Sequence, residues 1–191
     1  MTNPALAVIV GSNRRESINR KLAEGIAKLA AGRFEVTFVR IDDLPMYNQD
    51  NEATLPAPVA RFKDEIKAAD ALLFVTPEHN RSVPAVLKNA IDWGTRPYGQ
   101  NVWADKLAMV TGTSQGAVGT ALAQQHLRAM LTSILGAVVV GTEAYIQFKP
   151  DLIDSTGKIA NEDTAKFLQG FIDKLAALAG KLAPSKQRSA A

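Results

Sequence analysis

The sequence predicts a doubly wound α/β domain: an open, five-stranded parallel sheet with helices packed on both faces. Three observations predict it. Short apolar runs alternate with stretches of helical period along the whole chain. Three of those runs, Leu6 to Val10, Ala71 to Thr76 and Leu107 to Thr111, are continuously apolar, as strands covered on both faces are. Each of the three then meets a turn rich in glycine, hydroxyl or amide groups.

In order, the first strand, Leu6 to Val10, stops at Gly11, and a helix follows with Ile18, Leu22, Ile26 and Leu29 at helical intervals and Gly32 as its stop. Glu35 to Ile41 alternates imperfectly, which suits a strand near an edge. Asp42 to Pro58 holds three prolines and reads as a loop anchored by Met46 and Tyr47. Val59, Phe62 and Ile66 mark a second helix ending near Ala69. The third strand, Ala71 to Thr76, runs into Pro77 to Pro84. A helix follows with Pro84 in its first turn, Leu87, Ala90 and Ile91 on its buried side and Gly94 as its cap. The fourth strand, Leu107 to Thr111, meets the turn Gly112 to Gly116. A long helix then carries Val118, Leu122, Met130, Leu131 and Ile134 to Gly136. Ala137 to Val140 is expected as a fifth, buried strand, and Phe148 to Glu162 as irregular chain. The last helix carries Leu168, Phe171, Ile172, Leu175 and Leu178. Residues 1–183 form one domain without repeats, and 184–191 are expected to be a disordered tail.

Composition closes off several functions. With 47% hydrophobic and 21% charged residues in 191, the chain can bury a full core without staples. It has no cysteine, which excludes a disulfide framework, a thiolate nucleophile and a cysteine zinc site. Two histidines, His79 and His126, are too few for a multi-histidine metal site. A formal charge of +3 without a basic stripe argues against nucleic acid. No apolar run approaches membrane-spanning length and no secretory signal opens the chain, so the expectation is a cytoplasmic protein.

Five strands in this pattern fit the flavodoxin-like order 2-1-3-4-5, whose switch point lies between the first and third strands. All three polar turns fall on the rim where such sheets bind ligands. The first, Gly11 to Asn19, has one glycine where dinucleotide-binding turns use three. Ser12, Arg14, Ser17 and Asn19 suit a terminal monophosphate at a helix N-terminus instead. A plain polar loop with Ser17 as N-cap is the competing reading. Pro77 to Ser82 offers backbone donors and acceptors, with Asn80 and Ser82, to the edge of a flat heterocycle, and Gly116 leaves room for a planar ring. One phosphate and one flat polar ring describe FMN.

Two stretches carry a wider resemblance. Gly11-Ser-Asn-Arg-Arg-Glu-Ser-Ile-Asn19 and Pro77-Glu-His-Asn-Arg-Ser-Val-Pro-Ala-Val-Leu-Lys-Asn-Ala-Ile-Asp-Trp93 resemble the two signatures of the NADPH-dependent FMN reductases, a family that includes bacterial quinone and chromate reductases. The resemblance runs from about Ala5 to Ala144. It implies bound FMN, NADPH or NADH as hydride donor, and quinones, free flavin, chromate or similar small molecules as acceptors. Ser12, Arg14, Ser17, Ile18 and Asn19 would then hold the phosphate. Pro77, Glu78, His79 and Asn80 would line the isoalloxazine, with Ser82 close by and Ser114 and Gly116 closing the far side.

His79 stands where the family commonly places Tyr, and Arg81 is either a contact for the NADPH 2′-phosphate or an anionic acceptor, or a solvated surface residue. Hydride passing from nicotinamide C4 to flavin N5 and on to the acceptor implies a ping-pong cycle in which no side chain need act as nucleophile or acid. His126 then reads as a surface or interface histidine. The resemblance also implies a homodimer or homotetramer, with His126, Arg128 and Glu143 as candidates for interface ion pairs. The alternative is a flavodoxin-like electron-transfer module without turnover of its own; such carriers are typically strongly acidic, against +3 here. A receiver domain would need an acidic phosphate acceptor where the chain has Thr76-Pro77, and a colourless nucleotide-binding scaffold would take up no FMN.

Overall fold

β1 (Ala5–Val10) is the strand on which the sheet is built: β2 (Glu35–Val39) and β3 (Ala71–Val75) flank it in parallel, with Val8 opposite Phe38 on one side and Leu73 on the other. The computed structural model describes the backbone of residues 3–188 and the side chains of residues 3–182. β4 (Leu107–Ser114) continues the sheet beyond β3, and β5 (Val138–Val139) pairs with its first half, giving the order β2-β1-β3-β4-β5. The predicted topology therefore holds.

Alternation along the buried strands builds two cores. Ala7 and Ile9, Leu72 and Phe74, Ala108 and Val110 face α2 (Ala57–Ala68), α3 (Ala85–Thr95) and α4 (Ala121–Ser133). Leu6, Val8 and Val10, Leu73 and Val75, Leu107 and Met109 face α1 (Ile18–Ala30) and α5 (Glu162–Arg188). Lys63 of α2 is buried with its amine on the carbonyls at the end of α3, donating to Trp93 O at 3.4 Å, Gln100 O at 2.8 Å and Arg96 O. That partnership satisfies carbonyls in the turn that leaves α3. Burial nevertheless pushes the amine's pKa down to about 8.

The far edge departs from expectation. The single buried strand expected at 137–140 is a two-residue strand whose Val138 is 48% exposed. A sixth strand, β6 (Ala144–Gln147), pairs with the second half of β4, so β4 runs on to Ser114 where a turn from Gly112 was expected. Thr111 and Thr113 donate their hydroxyls to Ala144 O and Ile146 O, both at 2.8 Å, which hooks β6 to this extension. Gly141, at φ 90, makes the break between the two short strands.

Other boundaries shift for local reasons. α3 continues through Gly94, which lies under the Trp103 indole: a Cβ there would stand 2.4 Å from its ring. Close packing, not capping, explains that glycine. α4 starts at Ala121 because Gly119, at φ 63, turns the chain first, and Val118 is left exposed outside the helix. The backbone of α5 is helical to Arg188, through Pro184, where a disordered tail was expected from residue 184; Lys186, Gln187 and Arg188 favour helix. Residues 189–191 of that expected tail lie outside the described residues.

Candidate cofactor site

Gly11 donates its N–H to Val75 O at 2.9 Å, and a Cβ on it would meet Thr76 Oγ1 at 2.9 Å. The chain thus leaves the switch point between β1 and β3 only as glycine. Ser17 is the N-cap of α1, its Oγ accepting from Arg20 N–H at 3.2 Å. The cap reading is correct as far as it goes, but the hydroxyl proton stays available to an anion. Ile18 and Asn19, first in the helix, have N–H groups without an intrahelical acceptor, and no acidic residue stands in that turn. Arg14 and Arg15 are exposed and make no ion pair among the described residues. A cavity of about 430 Å³ opens beside this turn, lined by Ser12, Arg14, Arg20, Phe38, Arg40 and Asp42 among others. The Arg20 guanidinium covers the Phe38 ring at 4.7 Å.

Asn19 is placed differently from the other donors. Its side chain is buried and fully occupied: Nδ2 donates to Thr113 O and Oδ1 accepts from Thr113 N–H, each at 2.9 Å. It ties α1 to β4, which leaves only its backbone N–H free to serve a ligand.

The second turn is a tight reversal. His79 and Ser82 exchange backbone hydrogen bonds at 3.0 and 2.9 Å, around Asn80 at φ 49 and Arg81 at φ 64. Two left-handed central residues are the signature of a type I′ turn, natural for Asn but costly for Arg. Glu78 holds it in place. One carboxylate oxygen accepts from Arg81 at 3.2 Å, and the other accepts from the first N–H groups of α4, Leu122 at 3.0 Å and Ala123 at 3.2 Å. Glu78 is therefore a helix cap supplied from another element. Arg81 is ion-paired to it with its side chain 73% exposed. On the other side of the turn Ser82 Oγ stands 3.1 Å from His126 Nδ1 of α4.

The third turn follows β4. Ser114 Oγ donates into its own loop, to Gly119 O at 2.6 Å and Gly116 O at 3.2 Å. Over Gly116 the surface is open: a Cβ would find only Ser114 Oγ, at 3.8 Å. Ser12, Ser17, Ile18 and Asn19 thus sit at one end of the rim, Pro77 to Ser82 on one side, and Ser114 and Gly116 on the other. Asn19–Thr113 locks the first turn to the third, and Glu78 locks the second to α4. A cavity of about 660 Å³ opens beside the second turn, walled by His79, Ser82, Lys88, His126 and Met130 among others.

Arg128, a candidate for an interface ion pair, instead donates to Val110 O at 3.0 Å and Thr142 O at 3.3 Å, and burial lowers its pKa. Glu143 accepts from Gln125. The position of His126 beside the second turn has no mark in the sequence.

This donor set fits FMN: free helix N–H groups, hydroxyls and an unpaired guanidinium for a phosphate, and an open glycine surface for a ring. Among the described residues no three His, Asp or Glu side chains come together as a metal site, and no helix is long and apolar enough to cross a membrane.

Fold and rim together define a flavodoxin-like flavin-binding oxidoreductase. The chain belongs to the NADPH-dependent FMN reductase family, whose sequence profile matches residues 4–151. It is 49% identical over 172 residues to a 2-hydroxy-1,4-benzoquinone reductase of a Burkholderia species, covering 90% of this chain and 94% of that protein. A quinone reductase of Pseudomonas putida is 47% identical over 173 residues, with 90% and 92% covered. Among solved structures, the flavoenzyme NAD(P)H:(acceptor) oxidoreductase FerB from Paracoccus denitrificans superposes with a TM-score of 0.89 at 49% identity, covering 93% of this chain and 98% of that one. The protein is an oxidoreductase that works with FMN and NAD(P)H.

Proposed function

We propose that this protein is an NAD(P)H:quinone oxidoreductase, with free flavin and chromate as further acceptors. The observation that carries it is the rim itself, where an unneutralised helix N-terminus and a glycine-open surface are locked at fixed separation by the Asn19–Thr113 pair. The two relatives named for quinone reduction support the acceptor class. Ser12, Arg14 and Ser17, with the N–H groups of Ile18 and Asn19, hold the phosphate of FMN. Pro77, Glu78, His79 and Asn80 flank the ring through their backbone, with Ser82 at its edge and Ser114 and Gly116 opposite. When bound, FMN would supply hydride transfer from NAD(P)H to the acceptor, in a ping-pong cycle.

Residues of the rim orient the partners and exclude water, and dependence on NAD(P)H supports a cytoplasmic location, where that donor is maintained. The chain self-associates as a homodimer or homotetramer through the groove between α3 and α4. That groove, about 650 Å³, is walled by Ile91, Met130, Ile134 and Leu135, and Ile134 is 78% exposed in the isolated chain. The test is direct. Purified protein is expected to be yellow and to oxidise NAD(P)H with a simple benzoquinone along parallel double-reciprocal lines; a protein that takes up no FMN overturns the reading.

A further inference from the structure

A quinone that accepts a hydride at one oxygen becomes a hydroquinone monoanion, and its other oxygen must then gain a proton. Resting on the quinone reductase reading, we infer that Ser82 and His126 form the proton relay that serves this oxygen. Ser82 Oγ and His126 Nδ1 are 3.1 Å apart, and both line the cavity of about 660 Å³ at the ring-edge turn. The polar groups of that wall are His79, Asn80, Ser82, Lys88 and His126, with no carboxylate among them. A phenolate oxygen there meets the donors of Ser82, Asn80 and His126 and no carboxylate of that lining, Asp92 being held by Lys88 at 2.7 Å. The pair is also held in place. Glu78 caps α4 at Leu122, and His126 follows four residues later on the same face, so the cap that anchors the turn also aims the imidazole at Ser82.

The proton balance is simple. Ser82 O–H breaks as a new O–H bond forms on the acceptor anion, and Ser82 regains its proton from the Nδ1–H of His126 in its imidazolium form. The neutral imidazole left behind, which is exposed, takes a proton from solvent. No electron moves in this step, since both arrive with the hydride. The turn does not need the pair for its shape, because its two backbone bonds and the Glu78 contacts already fix it.

The test compares FMN-loaded wild type with His126→Gln and Ser82→Ala on two acceptors: 1,4-benzoquinone, which needs a proton, and ferricyanide, which takes electrons alone. The quinone-to-ferricyanide rate ratio is expected to fall about a hundredfold in both variants. In His126→Ala, added imidazole is expected to restore the ratio. In wild type, the redox-inert product mimic 4-methoxyphenol is expected to shift the His126 ring resonances in the NMR spectrum, and in Ser82→Ala it is not. A ratio that stays at the wild-type value, with both rates falling together, overturns the relay and leaves His126 as a support for the turn. Wild type that reduces neither acceptor overturns the quinone reductase reading itself, a result distinguishable from the first.

Discussion

Asn19 and Thr113, 94 residues apart in sequence, are joined through both ends of one side-chain amide, donating and accepting at 2.9 Å. The start of α1 is thereby fixed against the end of β4, which sets the distance between the phosphate end and the ring end of the rim. Asn19→Ala leaves Thr113 with a buried N–H and a buried carbonyl unpaired. The expected cost is about 2–5 kcal/mol of stability, with weaker FMN binding as a consequence of the displaced helix. Urea unfolding of the FMN-free protein reads this directly, and an unchanged midpoint would show that the pair carries no structural weight.

Arg14 offers a cleaner probe of the phosphate, because it is exposed and engaged with no other described residue. Arg14→Gln should weaken FMN by about tenfold or more, the worth of one charge-assisted hydrogen bond, while riboflavin, which lacks the phosphate, binds as to wild type. Ser17→Ala should show the same selectivity plus about 1 kcal/mol of lost helix capping. Fluorescence titration with the two flavins separates the cases; equal losses for both would move the phosphate elsewhere.

The sheet was legible where burial on both faces writes itself as unbroken apolar runs, as in β1, β3 and β4. β6 was not, since Ala144-Tyr-Ile-Gln147 is four residues with no turn signal in front but Gly141. Its existence depends on threonine hydroxyls reaching across from β4, which is tertiary information. The site divides the same way. Donor types at helix-start spacing announced the phosphate turn, but the destinations of Asn19 and Glu78 side chains did not show. Both reach groups far away in sequence, and a buried amide clamp reads in sequence like a ligand donor. His126 was set aside for the same reason: its partner, Ser82, is 44 residues upstream.

Gly94 is where packing, read as capping in the sequence, can be put to the test. A methyl group at this position would stand 2.4 Å from the Trp103 indole, which is itself fully buried and donates to Ile91 O at 3.1 Å. The ring cannot retreat without breaking that bond and its edge contact with Phe62, at 5.8 Å between centroids. Gly94→Ala should therefore destabilise the fold by about 1–3 kcal/mol despite the better helix propensity of alanine. A stabilised Gly94→Ala variant, measured by thermal unfolding, would mean that the indole is free to move.

Glu52 should shape the acid limb of stability. Its carboxylate accepts two bonds from Arg96, at 2.6 and 3.1 Å, and one from the Tyr47 hydroxyl at 2.6 Å, closing the 42–56 loop onto the end of α3. Arg96 first and Tyr47 second hold its pKa below the usual value of 4.5. A carboxyl with a depressed folded-state pKa contributes stability that is complete above its unfolded value and is lost as pH falls through the folded one. Glu52→Gln removes that contribution at every pH. The stability gap between wild type and Glu52→Gln should thus be constant from about pH 7 to 5 and shrink below about pH 4.5. Urea midpoints for both proteins across that range test the sign, and a gap that widens in acid would show that the loop is closed by something other than this ion pair.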